Sequence, residues 1–432
     1  MNPIAVLVLG STVGAVILRQ LLRRGPSIWV LFSVGAFATV GLEVLPVAGA
    51  SSAIASNLAV LVFLFSLFVF AAGLEQAGAL DYLARWILGR ARRPADVPWF
   101  LFVAFGVLSA FILNDALVVV GVPLLFSLSR RMRVSAEPLL LTLAFSVTVG
   151  SMLTPFGNPQ NLLVSLESGM NAPVATFLRY LLVPTAINLV AGGYYVRWVF
   201  GRRLGRSPGE SPSEAPSIPL LPAAQLLPTL RRSPAVVLFP VTVLVMITVD
   251  VTSVATGGPA VPLYLVALGG ALAALLATPG RSELFARIDW SILVLFAALF
   301  VVVAGAVAGG VLTSLESFLP GPGQRVPALG AILLTSLGGS QLVSNVPWVG
   351  LQIPLLRGLG FGAGTPWAWV ALAGGSTLAG NLTLLGAASN LIVVEQAERA
   401  GTRIGLRSFV RAGLPLTVLT MAVLFGCLAL GL

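Results

Sequence analysis

The groups that could do chemistry in this chain are amides, hydroxyls and one carboxylate, arranged in two matching sets. The first set is Asn114 and Asp115, followed by Thr154, Gly157, Asn158 and Asn161. The second is Ser344 and Asn345, followed by Thr383, Gly386, Ser389 and Asn390. Such groups exchange hydrogen bonds with a solute and offer oxygen to a hard cation such as Na⁺. They are not a nucleophile held against a base. The chain has no His, which removes the commonest acid–base group and the commonest metal ligand. Its single Cys, Cys427, excludes an internal disulfide and a Cys-based metal site. With no nucleophile–base pair, metal set or carboxylate cluster, the chain reads as a non-enzyme without a cofactor beyond Na⁺ or H⁺. It has no GxxxxGK[ST] loop for ATP.

The elements that hold these groups are interrupted apolar segments. The stretch Gly150-Ser-Met-Leu-Thr-Pro-Phe-Gly-Asn-Pro-Gln-Asn161 divides an apolar segment running from about 138 to 167. Pro155, Gly157 and Pro159 forbid a regular helix there, because each Pro lacks an N–H and Gly adds a flexible joint. Thr154, Asn158, Gln160 and Asn161 supply polar groups at the same depth. Irregular backbone inside a bilayer is tolerated where protein buries it or where it lines a polar cavity. A broken helix with polar groups at its break therefore points to a solute site. A Pro kink repaired by its neighbours is the plainer alternative.

Composition places the whole chain in a membrane. Of 432 residues, 57% are hydrophobic and only 9% charged, with a mean hydropathy of +0.99. An ordinary soluble domain is about one quarter charged. Several apolar runs reach about 20 residues, enough to cross the hydrocarbon core. The first, from Pro3 to Leu18, lacks a small-residue cleavage site ahead of a soluble domain, so a span is expected rather than a cleaved signal. All 25 basic residues are Arg and the net charge is +10. They lie in short loops between apolar runs, so they report orientation rather than a nucleic-acid partner.

In chain order, spans are expected near 3–18, 27–45 and 57–74. An amphipathic connector with Arg85, Arg90, Arg92 and Arg93 follows. The block 97–129, with Asn114-Asp115 at its middle, fits a re-entrant hairpin. The broken helix occupies 138–167, and a span lies near 180–200. Residues 201–234 carry seven Pro between Pro208 and Pro234 and read as a linker. The second half repeats the plan: spans near 235–250, 260–278 and 289–311, a hairpin over 326–357, a broken helix over 366–396 and a last span over 412–431. The expected domains are a first repeat over 1–200, the linker, and a second repeat over 235–432.

The halves align in sequence. Asn114-Asp-Ala-Leu…Pro123-Leu-Leu matches Asn345-Val-Pro-Trp…Pro354-Leu-Leu at an offset of 231. Thr154-Pro-Phe-Gly-Asn-Pro-Gln-Asn-Leu-Leu-Val164 matches Thr383-Leu-Leu-Gly-Ala-Ala-Ser-Asn-Leu-Ile-Val393 at an offset of 229. Two matches in the same order at nearly one offset indicate an internal repeat. If each hairpin returns to the side it entered, each half crosses five times and the second half is inverted. All Arg except Arg179, Arg325 and Arg357 then share one side. The positive-inside rule makes that side cytoplasmic, with the linker inside and both termini outside the cell membrane. The expected fold class is thus an all-α polytopic membrane protein. It would hold two inverted repeats, each with about five transmembrane helices, one re-entrant hairpin and one broken helix.

The pairing of ILNDALVVVGVPLL with GSMLTPFGNPQNLLV, and of SNVPWVGLQIPLL with GNLTLLGAASNLIV, resembles the ion transporter superfamily. That group includes arsenite permeases, NhaD-type sodium/proton antiporters, citrate transporters and divalent-anion/sodium symporters. The resemblance covers nearly the whole chain, and TPFGNPQN looks closest to the bacterial anion-permease branch. It implies two opposed hairpins whose tips meet the two helix breaks, with substrate and coupling ions bound between them. It further implies secondary transport of a small inorganic or organic anion, a dicarboxylate or oxyanion, coupled to Na⁺ or H⁺ by alternating access. Arsenite or antimonite efflux and Na⁺/H⁺ antiport are the alternatives, and an ion channel a weaker one. A homodimer is compatible with it. The symporters carry Ser-Asn-Thr at both tips, whereas this chain has Leu-Asn-Asp at 113–115 and Ser-Asn-Val at 344–346.

Asp115 is the one acid near the middle of a membrane segment in this core. It could coordinate Na⁺, carry a coupling proton or accept hydrogen bonds at the hairpin tip. Asn114, Asn158, Asn161, Asn345, Asn381 and Asn390 are costly at membrane depth unless they meet a ligand or one another. The sequence leaves both readings open for each.

Overall fold

A chain in hydrocarbon must pair its backbone internally, and helices achieve this within one segment. The computed structural model describes residues 2–22, 25–78, 82, 94–204, 233–256, 261–311 and 319–432. It is all-helical among these residues. In the first half α1 (Pro3–Leu22), α2 (Ile28–Gly41), α3 (Val47–Ser56) and α4 (Leu58–Gln76) precede the site. Then come α5 (Val97–Ser109), α6 (Asn114–Met132), α7 (Glu137–Ser151), α8 (Pro159–Glu167) and α9 (Pro173–Leu204). In the second half α10 (Pro234–Thr256), α11 (Leu263–Ala277), α12 (Arg281–Ala286) and α13 (Trp290–Ala308) lead to α14 (Arg325–Val343) and α15 (Asn345–Gly358). The chain closes with α16 (Pro366–Ala379), α17 (Ala388–Arg399) and α18 (Leu406–Leu430).

Six helices among the described residues are long and apolar enough to cross a membrane: α4, α9, α10, α13, α14 and α18. Others, such as α2, α5, α7 and α11, are shorter and equally apolar. Several details depart from the expected spans, among them the start of α9 at Pro173 rather than near 180 and the short helix α12 between two spans. Residues 46–56, left between two expected spans, hold the helix α3. The last helix starts at Leu406 rather than near 412, so Arg407 and Arg411 stand on its first turns. The Arg-rich connector from Arg85 to Arg93, and most of the linker, lie outside the described residues.

The packing repeats with the sequence. Helix α5 packs on α7 as α14 packs on α16, and α4 on α11 as α13 on α2. The repeats also exchange partners, with α6 against α17 and α15 against α8. Each hairpin therefore packs on the helix that follows the other repeat's break. The centre of the molecule is α7 and α16: thirteen of the fourteen residues of α16 are buried, as are fourteen of the fifteen of α7. Ordinary spans face lipid on one side, as exposed Phe37, Trp198 and Leu244 do here. Helices buried on all sides carry the two breaks inside protein, where irregular backbone is permitted.

Candidate functional site

At the first break α7 ends at Ser151 and α8 begins at Pro159, whose missing N–H suits the first turn of a helix. Asn158 caps α8: its Oδ1 accepts from the Asn161 backbone N–H at 2.8 Å. Its Nδ2 donates to Ser151 O at 3.2 Å and Ser151 Oγ at 3.1 Å. The Asn161 Nδ2 donates to three carbonyls at and just past the end of α7: Ser151 at 3.0 Å, Met152 at 3.3 Å and Thr154 at 3.1 Å. The hairpin tip closes on this loop. The Asn114 N–H donates to Gly157 O at 2.9 Å, and Thr154 Oγ1 donates to Ala110 O. A Cβ at Gly157 would run into the Ser151 carbonyl, so the loop can fold this tightly only around Gly.

The second break reproduces this wiring with different atoms. Asn390 Nδ2 donates to Gly380 O at 2.6 Å and Thr383 O at 3.3 Å. The Leu385 N–H donates to Thr383 Oγ1 at 3.1 Å, as Phe156 N–H does to Thr154 Oγ1 at 3.2 Å. Gly386 N–H donates to Thr383 O at 3.2 Å. Where the first repeat uses the Ala110 carbonyl, the second uses the side chain of Gln341 at the equivalent position. Thr383 Oγ1 donates to Gln341 Oε1 at 2.7 Å, and Gln341 Nε2 donates to Ala379 O at 2.8 Å. At the hairpin tips Asn114 Oδ1 accepts from Asp115 N–H, and Asn345 Oδ1 from Val346 N–H, both at 2.9 Å.

The breaks are neighbours, joined by Thr377 of α16. Asn158 Nδ2 donates to Thr377 Oγ1 at 3.1 Å, Gln160 Nε2 to the same oxygen at 3.3 Å, and Thr377 Oγ1 to Asn161 Oδ1 at 3.1 Å. Asn158 and Asn161 thus have both side-chain polar atoms engaged by protein, and both are fully buried. The second break lacks this completion: Ala387 stands where Asn158 does, and Thr148, at the position equivalent to Thr377, donates to Ala144 O at 2.9 Å instead. Among the described residues, Asn390 Oδ1, Ser389 Oγ and both side-chain polar atoms of Asn381 are buried without a hydrogen-bond partner, as is Gln160 Oε1 on the first side. Each such atom costs about 1–3 kcal/mol where nothing replaces water.

Asp115 lies on the first turn of α6 and is 7% exposed. No hydrogen bond or ion pair reaches its carboxylate among the described residues. Each repeat directs two helix N-termini at its loop, α6 and α8 in the first and α15 and α17 in the second. Helix N-termini carry partial positive charge and unpaired N–H groups, which favour an anion. The Ser344 backbone at the second tip holds φ +73° and ψ +161°, a region that costs a non-Gly residue about 1–3 kcal/mol.

All twelve of the residues singled out in the sequence lie at these two loops or tips, divided between them by repeat. Three participants escaped that reading, and the reach of a fourth did too. Ser151 closes α7 and Thr377 sits inside α16, both apolar helices in which a hydroxyl normally bonds its own turn. Gln341 stands three residues before the tip, with no composition signal of its own. Gln160 belongs to the break motif and was visible there as a polar group, but its reach to Thr377 in the other repeat was not.

A profile of the citrate transporter family, CitMHS, matches residues 15–375. The chain is 28% identical over 375 residues to the uncharacterized transporter Rv2684 of Mycobacterium tuberculosis, covering 84% of each chain. It is 28% identical over 415 residues to the silicon efflux transporter LSI3 of Oryza sativa subsp. japonica, covering 85% of each. Among solved structures, the YdaH transporter of Alcanivorax borkumensis superposes with a TM-score of 0.61 at 17% identity, covering 88% of this chain and 86% of that one. At such identity the likeness concerns the fold alone.

Proposed function

Since the chain belongs to the CitMHS citrate transporter family, and is a multi-pass membrane transporter rather than an enzyme, we propose that it carries a small anion by alternating access. The substrate in this reading is a dicarboxylate or other oxyanion, and the coupling ion is Na⁺ or H⁺. It works in the cell membrane, with its site at the two helix breaks. The supporting observation is the set of buried, unpartnered polar atoms on Gln160, Ser389 and Asn390, in the first turns of α8 and α17, and on Asn381 after α16. A bound solute would supply the missing partners. The Na⁺ or H⁺ would be taken by Asp115, whose carboxylate has no internal partner and is expensive when ionised and buried.

A second reading is efflux of an uncharged or weakly acidic oxo-species such as arsenite. The set is built from amides and a hydroxyl, and no Arg appears among the hydrogen-bonding partners of either break. The silicon efflux relative bears on this reading.

Purified protein in liposomes would be offered citrate, succinate, arsenite and silicic acid under imposed Na⁺ or H⁺ gradients. Saturable, gradient-dependent uptake of a carboxylate is expected. Flux of only the uncharged species would favour the second reading, and very high unsaturated ion flux would reject a carrier.

A further inference from the structure

Away from the breaks, a cavity of about 1040 Å³ opens between the C-terminal end of α9 and the N-terminal end of α18. Its lining combines polar residues, Arg407, Ser408 and Arg411, with apolar ones, Val199, Phe200 and Pro415. Arg407 and Arg411 stand one turn apart on the same face of α18. Both are exposed, and neither has an ion pair or hydrogen bond among the described residues. The adjacent carboxylate, Glu137, accepts from Ser408 Oγ at 2.6 Å instead of meeting a guanidinium. Arg197 is already paired with Asp96 at 2.8 Å. Trp198 is 63% exposed at the rim, with its ring 6.4 Å from that of Tyr195. Tyr195 ties the floor together by donating from its hydroxyl to Ala412 O at 2.7 Å.

The geometry points to this cavity as a binding site for the headgroup of an anionic phospholipid. Two unpaired guanidiniums match a phosphate, which Arg binds with bidentate geometry. An exposed Trp at a rim marks the headgroup level of a bilayer. The apolar part of the lining, Val199, Phe200 and Pro415, suits the first acyl carbons and would be of no use to a free phosphate. Basic pockets between membrane helices on the Arg-rich side are built for such lipids. The site has a route to the breaks: farther along α18, Gly413 lies against the Asn381 carbonyl.

The test compares intact protein and the double variant Arg407→Gln/Arg411→Gln in phosphatidylcholine vesicles with and without an equal share of phosphatidylglycerol. Lipid retained after extraction is read by native mass spectrometry, and thermal unfolding is read alongside. Wild type should retain phosphatidylglycerol over phosphatidylcholine and melt higher in its presence. Each Arg lost should weaken retention about five-fold. Arg281→Gln, another exposed Arg, should change neither reading. Equal retention by wild type and the double variant would overturn the proposal. So would inorganic phosphate raising the melting point as much as phosphatidylglycerol does with the same Arg dependence, since the occupant would then be a soluble anion. If the double variant does not fold, Arg411→Lys and Trp198→Ala serve in its place, and unchanged lipid preference in both would reject the site.

Discussion

Asn161 and Asn390 stand at equivalent positions and bond equivalent carbonyls, yet their free ends differ. The Asn161 Oδ1 has Thr377, and the Asn390 Oδ1 has nothing. The two Asn→Ala substitutions should therefore separate. Asn161→Ala strips donors from three carbonyls and should destabilise the protein by about 1–3 kcal/mol, read as a lower thermal midpoint. Asn390→Ala should chiefly weaken substrate affinity. Equal stability losses with equal KM changes would mean the breaks are equivalent after all. Asp115 bears on coupling, because Val346 replaces it in the second repeat and only one formal charge enters the site. If it binds Na⁺, Asp115→Asn should weaken Na⁺ dependence and leave the proton response small. If it carries H⁺, the same change should uncouple transport from a pH gradient while exchange at equal pH persists. Unaltered rate, Na⁺ dependence and pH dependence would leave only a hydrogen-bonding role at the tip.

Between α14 and α15 the turn is a single residue, Ser344, whereas four residues, 110–113, join α5 to α6. The shorter turn forces Ser344 into backbone space that Gly enters freely. Ser344→Gly should raise stability by about 1 kcal/mol if strain alone matters there. A loss of transport accompanying that gain would mean that the strained tip or its hydroxyl takes part in the cycle. Helix α18 offers a second handle. A methyl at Gly413 would overlap the Asn381 carbonyl, which is backbone and cannot swing aside. Gly413→Ala should therefore displace the second break and cut transport severely while helix content by circular dichroism stays the same. Normal transport would show that α18 yields instead and that the break is not held by it.

At the scale of the whole molecule, repeat-related packing and Arg distribution meet in one expectation about orientation. Two repeats with an odd number of crossings must face opposite ways, and the linker between them must lie on the Arg-rich side. Single cysteines at Asn2, Glu210 and Leu432, in a chain carrying Cys427→Ser, would report this through an impermeant thiol reagent on intact cells. Labelling is expected at both termini and not at 210. The opposite pattern would reject the inverted arrangement as drawn from the Arg count.

Much of this protein was readable before folding. Apolar runs of about 20 residues and scarcity of charge call for helices in a bilayer, because a helix pairs its backbone within one such segment. Pro155, Gly157 and Pro159 dictate a break whatever surrounds them, and the repeated Asn, Thr and Gly mark the second break by likeness. These are local properties, set within a few residues of chain. What the tertiary structure alone decided is which polar atoms are left unpartnered. Thr377 lies more than 200 residues from Asn158 and Asn161, and it completes their hydrogen bonds. The lack of any such partner leaves Asn390, Ser389 and Asn381 open. Hydrogen-bond completion depends on which groups meet across the two repeats, and periodicity or composition along one segment carries no record of that meeting.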